Sequence, residues 1–165
     1  MCSIIDDNIK IVDDFDEQSV DNVTYADLSR RDLRSLIFHL LYAAESHDYQ
    51  ESVEAIADNL SKGFTLVIEP DSEVIIIARQ VIDLRDSLDE AYKPLLTNWR
   101  FDRISVSIKL ILRLAVWELL HTDMDQRIVI NEAIELAKAF AEEDAFRFIN
   151  GILDGIAHQE TKSEL

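Results

Sequence analysis

The sequence holds one cysteine, two prolines and three glycines in 165 residues. With Cys2 alone, an internal disulfide and a cysteine-based metal cluster are both excluded, and a reducing cytoplasm is the compartment that fits. So little glycine and proline leaves scant material for tight hairpins, and the longest apolar patterns recur at helical rather than alternating spacing, so an all-α fold is expected. No apolar run approaches the roughly 18 residues that span a bilayer, and no basic segment followed by an apolar core opens the chain. A soluble, non-exported, cytoplasmic protein without membrane contact is the expectation. Positive charge is also scarce: 16 lysines and arginines stand against 33 aspartates and glutamates, a net of −17. There is no glycine-rich phosphate loop, and His39, His47, His121 and His158 show neither i, i+4 pairing nor metal spacing with a carboxylate. Neither an enzyme nor a cofactor or metal site is expected.

What remains is ample material for one core, since 48% of the residues are hydrophobic. The acidity is uneven. Residues 1–28 carry eight acids against Lys10, a net of −7, which leaves −10 for the remainder. Their apolar residues are too sparse to form a core, so 1–28 reads either as a flexible or loosely docked extension, or as a polyanion mimic that covers neighbouring arginines. The expected organisation is an acidic extension over 1–28, a helical domain over 29–158 and a frayed tail over 159–165.

Helical periodicity places a first helix from Ser29 to about Glu45, with Leu33, Leu36, Ile37, Leu40, Leu41 and Ala44 on one face and Ser29 and Asp32 as its capping pattern. A second runs from about Gln50 to Lys62, with Gly63 in the stop position. A third follows Pro70 and continues towards Pro94. The run Ile75-Ile76-Ile77 is compatible with a strand, but no second β-rich run is present to pair with it, so helix is preferred. Asn98 to His121 is apolar nearly all round and reads as a central buried helix. A fifth helix is expected over about Asp125–Ala141 and a last over about Asp144–Ala157. In the last, Gly151 would cost about 1 kcal/mol relative to alanine, which predicts a close neighbour against that backbone. Asn150 beside it either satisfies a buried neighbour or reaches a ligand.

Within this acidic chain the stretch LSRRDLRSLIFHLLY gathers Arg30, Arg31 and Arg34 in the opening turns of a helix, where the dipole disfavours cations by a few tenths of a kcal/mol each. Three guanidinium forks beside free helix N–H groups suit phosphates. Tyr42, three turns on, offers a ring for an unpaired base, worth roughly 1–3 kcal/mol when stacked. Scattered surface arginines with a core tyrosine are the competing reading. His39 reads as a half-buried polar residue.

The run RRDLRSLIFHLLYAAE resembles the opening of the transcription antitermination factors of the NusB family. PLLTNWRFDRIS, ILRLAVWELL, INEAIELAKAF and FRFINGILDGIA are similar to that family's successive signatures, in order, so the resemblance covers about Ser29 to Ala157. It implies a compact all-α bundle of about six to seven helices in two packed halves. It implies binding of boxA-like single-stranded RNA together with NusE, a small-subunit ribosomal protein, within the antitermination complex of RNA polymerase, notably on ribosomal RNA operons. Some members form homodimers that hide the RNA surface. Carried over by position, Arg30, Arg31, Arg34, His39 and Tyr42 belong to the RNA-contacting helix, and Asp144, Arg147 and Phe148 to a second RNA-proximal patch. The chain departs from the family pattern at Asp32, Leu33, His39, Ile108, Asp125 and Ala145. The alternative expectation is a NusB-fold interaction module that binds NusE with weak or no RNA binding, consistent with the −10 on residues 29–165.

Overall fold

The computed structural model of the chain describes residues 23–64 and 66–163, so the expected acidic extension lies outside the described residues as far as residue 22. Residues 23–28, which the sequence reading assigned to the extension, carry regular structure that touches the rest of the fold. Val23–Thr24 forms β1, paired in parallel with β2 (Leu66–Val67). A turn of 3-10 helix follows over Tyr25–Asp27, where the Asp27 carboxylate accepts from the Thr24 amide at 3.1 Å and hydroxyl at 2.7 Å. Leu28 then packs against the core.

α1 (Arg30–Ser46) starts where its cap predicts: the Ser29 hydroxyl accepts from the Asp32 amide at 3.2 Å and donates to the Asp32 carboxylate at 2.5 Å. This reciprocal pairing satisfies orphan donors at the helix start. α2 spans Val53–Phe64 and carries Gly63 inside it, so that glycine is not a stop. The single helix expected between Pro70 and Pro94 is two, α3 (Glu73–Asp83) and α4 (Arg85–Tyr92), parted at Leu84, and α3 begins after Ser72 rather than at Pro70. The break turns Leu88 and Tyr92 onto the core. Ile75, Ile76 and Ile77 are helical. α5 spans Val106–His121, shorter than expected, because Phe101–Arg103 forms a separate 3-10 turn and Ser105 supplies the cap. α6 (Gln126–Phe140) is capped by Asp125, whose carboxylate accepts from the Arg127 amide at 2.8 Å. α7 runs from Ala145 to Ser163, so the stretch expected to fray from 159 is helical as far as 163.

The architecture is all-α, with β1 and β2 as a two-residue clasp. α1, α2 and α3 pack as one half and α5, α6 and α7 as the other; α1 and α4 both lie against α5. Every residue from Leu110 to Leu119 is buried, as a helix apolar nearly all round requires. The two charged residues of that buried run, Arg113 and Glu118, need partners, because an unpaired buried charge is very costly. Arg113 donates to both carboxylate oxygens of Asp89 on α4 at 2.8 Å each, and to Glu45 and Tyr49 at 3.0 Å. Burial and the Glu45 carboxylate push the Tyr49 phenol up to about 12. Glu118 is met by Arg34. The glycine under a close neighbour is Gly155, where a Cβ would sit 2.9 Å from Leu95 Cδ1. Gly151 faces open space, which corrects the expectation made for it, and Asn150 donates to Asp154 at 2.9 Å.

Candidate nucleic-acid interface

The opening of α1 contains two kinds of arginine. Arg30 and Arg31 are exposed, the latter with 60% of its side chain in solvent. Arg31 reaches across to α6, but only to 3.5 Å from Glu132 and 3.9 Å from Glu135, the outer limit of an ion pair. At these distances, with the guanidinium itself exposed, the pairs are worth little. Arg34 is different. It is 6% exposed, its Nε donates to Glu118 Oε1 at 2.9 Å, its Nη2 lies 2.8 Å from the same oxygen and 2.9 Å from Met124 Sδ, and its Nη1 points at the Arg30 carbonyl at 3.5 Å. The expectation of three surface guanidinium forks is therefore corrected to two. Arg34 holds α1 on α5, because Glu118 needs a buried cation. Burial raises the Glu118 carboxyl above its usual value, and the hydrogen bond from Arg34 offsets part of that rise.

Beyond Arg31, α1 and α6 enclose a cleft of about 300 Å³ whose walls include Arg31, Ser35 and His39 on one side and Glu132, Lys138 and Phe140 on the other. Aromatic rings crowd its end. Phe140 stacks on Phe38 with centroids 4.8 Å apart and planes 17° apart, and His39 meets Phe140 edge-on at 5.1 Å. Tyr42, 37% exposed, lies 6.1 Å from Phe38. His39 is half-buried, as its sequence reading had it, and burial depresses its basicity below the ordinary 6.5. A neutral imidazole can stack and hydrogen-bond without bringing a charge of its own.

The second patch adjoins the first. Lys138, on the wall of the cleft, lies over the Phe146 ring at 5.9 Å, and Arg147 lies over the same ring at 5.6 Å. Asp144 and Arg147 are exposed and 3.6 Å apart. Phe148 is half-buried and packs against Trp99 with centroids 5.2 Å apart, while the indole of Trp99 remains 58% exposed. Lys138 thus links the cleft to Phe146 and Arg147, whereas Phe148, two residues further along α7, pairs with Trp99. Phe140, Lys138, Phe146 and Trp99 were missed by sequence reasoning. Phe140 reads as an inward residue of α6, and only the crossing of α1 over α6 makes its ring part of the cleft. Trp99 gives a usable signal, a large aromatic in the polar run Thr97-Asn98-Trp99-Arg100.

Positions that depart from the family pattern have local uses. Asp125 caps α6, Ala145 is buried at the start of α7, and Ile108 packs against the core. Among the described residues no cluster of three or more histidines, cysteines and carboxylates is placed to hold a metal ion, and no helix is long and apolar enough to cross a membrane.

Comparison with known proteins matches residues 31–158 to the NusB family. The transcription antitermination protein NusB of Staphylococcus epidermidis is 37% identical over 134 residues, covering 78% of this chain and 98% of that protein. Its counterpart in Anaeromyxobacter dehalogenans is 44% identical over 111 residues, covering 64% of this chain and 78% of that protein. The solved structure of T. maritima NusB superposes with a TM-score of 0.68 at 30% identity, over 84% of this chain and 99% of that one. Residues, fold and relatives agree: this chain belongs to the NusB family of transcription antitermination factors.

Proposed function

We propose that this protein binds boxA-like single-stranded RNA together with NusE and enters the RNA polymerase antitermination complex in the cytoplasm, notably on ribosomal RNA operons. The observation that carries the reading is the exposed Arg31 in the wall of a cleft that His39 and Phe140 also line, with Arg30 exposed beside it in the chain and Tyr42 near Phe38, the ring stacked on Phe140. Phosphates meet the guanidinium forks and bases meet the rings; Arg147, Phe148 and Asp144 extend the track along the start of α7. No chemical step is part of this role.

Affinity from so few cations within residues 29–165, of net −10, is modest and salt-sensitive, so NusE supplies what the arginines lack. A second reading has a specific observation in its favour. Arg34 is held inside and Arg31 faces two glutamates, which suits a module that contacts NusE and binds RNA weakly or not at all. Titration of the protein with boxA RNA, with and without NusE, separates the two. RNA binding that NusE strengthens supports the first; NusE binding with no RNA uptake at any salt supports the second. Light scattering in the same buffers reports whether a homodimer forms and competes with RNA for this face.

A further inference from the structure

Where α1 meets α5 and α6, the acids Asp32, Glu118, Glu132 and Glu135 face the cations Arg31, Arg34 and Lys138. Most of these charges are already engaged. Arg34 is committed to the buried Glu118, with Nε 2.9 Å from Oε1, and Lys138 donates to Glu135 at 2.8 Å. The Asp32 carboxylate accepts from the Ser29 hydroxyl at the helix cap. What is left is Glu132 on α6 opposite Arg31 on α1, with 3.5 Å between them.

Glu132 and Glu135 both approach Arg31, and their surroundings separate them. The hydrogen bond from Lys138 holds the Glu135 carboxyl below its usual value, and the charge of Arg31 is the smallest contributor to that shift. Glu132 has no cation other than Arg31 within ion-pair distance among the described residues. Its side chain is also less exposed, at 20% against 39% for Glu135. It stands close enough to Glu118 that its charge adds to burial in raising that carboxyl. Water screens a half-buried carboxylate less than a surface one. A phosphate that takes the Arg31 fork therefore arrives beside this negative charge and removes the cation that offset it. The pair adds little to the stability of the fold; the carboxylate left behind is what opposes an anion.

We infer that Glu132 withholds Arg31 from anions, RNA phosphates among them, by engaging the guanidinium in the free protein and repelling the group that replaces it. The inference rests on the RNA-binding reading above and deepens it, since it assigns the modest affinity of the cleft to one side chain of α6 rather than to the net charge of the chain. Glu132 acts through Arg31 and is a positioning residue; Glu135, tied to Lys138, is not its equivalent.

The test is a double-mutant cycle in the full chain: the parent, Glu132→Gln, Arg31→Ala and both together. Single-stranded boxA RNA is titrated into each at about 50, 150 and 500 mM salt, which spans weak to strong screening. Glu132→Gln keeps the size of the side chain and should tighten binding about fivefold at the lowest salt, falling to less than about twofold at the highest. With Arg31 already replaced by alanine, the same change should shift affinity by less than about twofold at every salt. A second measurement needs no RNA: inorganic pyrophosphate is titrated at low salt while the Nε–H resonance of Arg31 is followed. Its shift should be half complete at about fivefold lower pyrophosphate in Glu132→Gln than in the parent. Equal RNA affinity of the parent and Glu132→Gln at every salt, or an equal gain with and without Arg31, overturns the inference and leaves RNA binding standing. If no chain binds RNA at any salt, the proposed function fails and the pyrophosphate titration alone decides: a lower midpoint in Glu132→Gln upholds the hold of Glu132 on Arg31, and equal midpoints overturn it.

Discussion

Arg31 and Arg34 stand one helical turn apart on α1 and have opposite roles. Arg31 reaches towards α6 across an open cleft and keeps most of its side chain in water; Arg34 turns to α5, is almost fully buried and is locked to Glu118. Arg113 repeats the second case from the other side of the core, held by Asp89 and Glu45. The contrast teaches that an arginine's availability to a ligand is set by the acid that waits for it. Glu118 is buried and, among the described residues, has no other cation within ion-pair distance, so Arg34 is held; Glu132 and Glu135 are half-buried and meet Arg31 only at 3.5 and 3.9 Å, so Arg31 is held loosely.

The largest test removes one partner of the buried pair. Arg34→Ala or Glu118→Ala should destabilise the protein by about 3–5 kcal/mol, since each strands a buried charge, whereas Arg34→Met with Glu118→Leu should recover most of the loss. Denaturant unfolding reads this, and an unchanged midpoint for Arg34→Ala would erase the distinction between the two arginines. Leu112→Ala and Leu136→Ala supply the scale for the surrounding core: at 0% and 5% exposure, each should cost roughly 2–5 kcal/mol.

The surface pair should behave in the opposite way. Replacing Arg30 and Arg31 by alanine should leave stability within about 0.5 kcal/mol. The same change should weaken RNA binding for all sequences and flatten its salt dependence by about two phosphate contacts. Undiminished boxA binding at matched salt would move the RNA site elsewhere.

His39 sharpens the comparison through pH. Its folded-state value lies below the ordinary 6.5 because burial disfavours the imidazolium. As pH falls the unfolded chain takes up this proton first, so the stability carried by the neutral ring is complete above about 6.5 and is lost on acidification through that value towards the folded one. His39→Gln should flatten that part of the stability profile between pH 7 and 5; a profile identical to the parent's would show that the ring is not buried in solution. The smallest effect belongs to the glycines of α7. Gly151→Ala should stabilise by about 0.4–1 kcal/mol, with open space around it, and Gly155→Ala should gain less or lose, because its new methyl meets Leu95.

Much of the fold was legible because helix faces repeat at 3.6 residues and are read without knowing their neighbours. α1 and α6 lie close to where apolar spacing put them, and α5 ends at the expected His121. What failed was local and has physical causes. Gly63 resembles a stop but continues a helix, and the break at Leu84 has no proline or glycine to announce it. The 3-10 turn at Phe101–Arg103 follows no periodic signal. At the candidate site, clustering of arginine within an acidic chain drew attention to the opening of α1, where Arg31 lines the cleft. The same signal could not separate Arg34 from its neighbours, because its partner is 84 residues away.

Composition and periodicity by themselves determined that this chain is an all-α domain with a charge-divided sequence, one apolar central helix and an arginine-rich helix start. Each of these depends on residue type and spacing along one helix, which the chain carries within itself. The tertiary structure decided that Arg34 is held inside while Arg30 and Arg31 stay exposed, that α1 and α6 enclose a cleft lined by His39 and Phe140, and that β1 pairs with β2. Those outcomes rest on pairings such as Arg34 with Glu118, Phe38 with Phe140 and Val23 with Leu66, formed between elements far apart in sequence. Burial and ion-pair strength depend on which side chains surround a group, and that is specified only when the helices have packed.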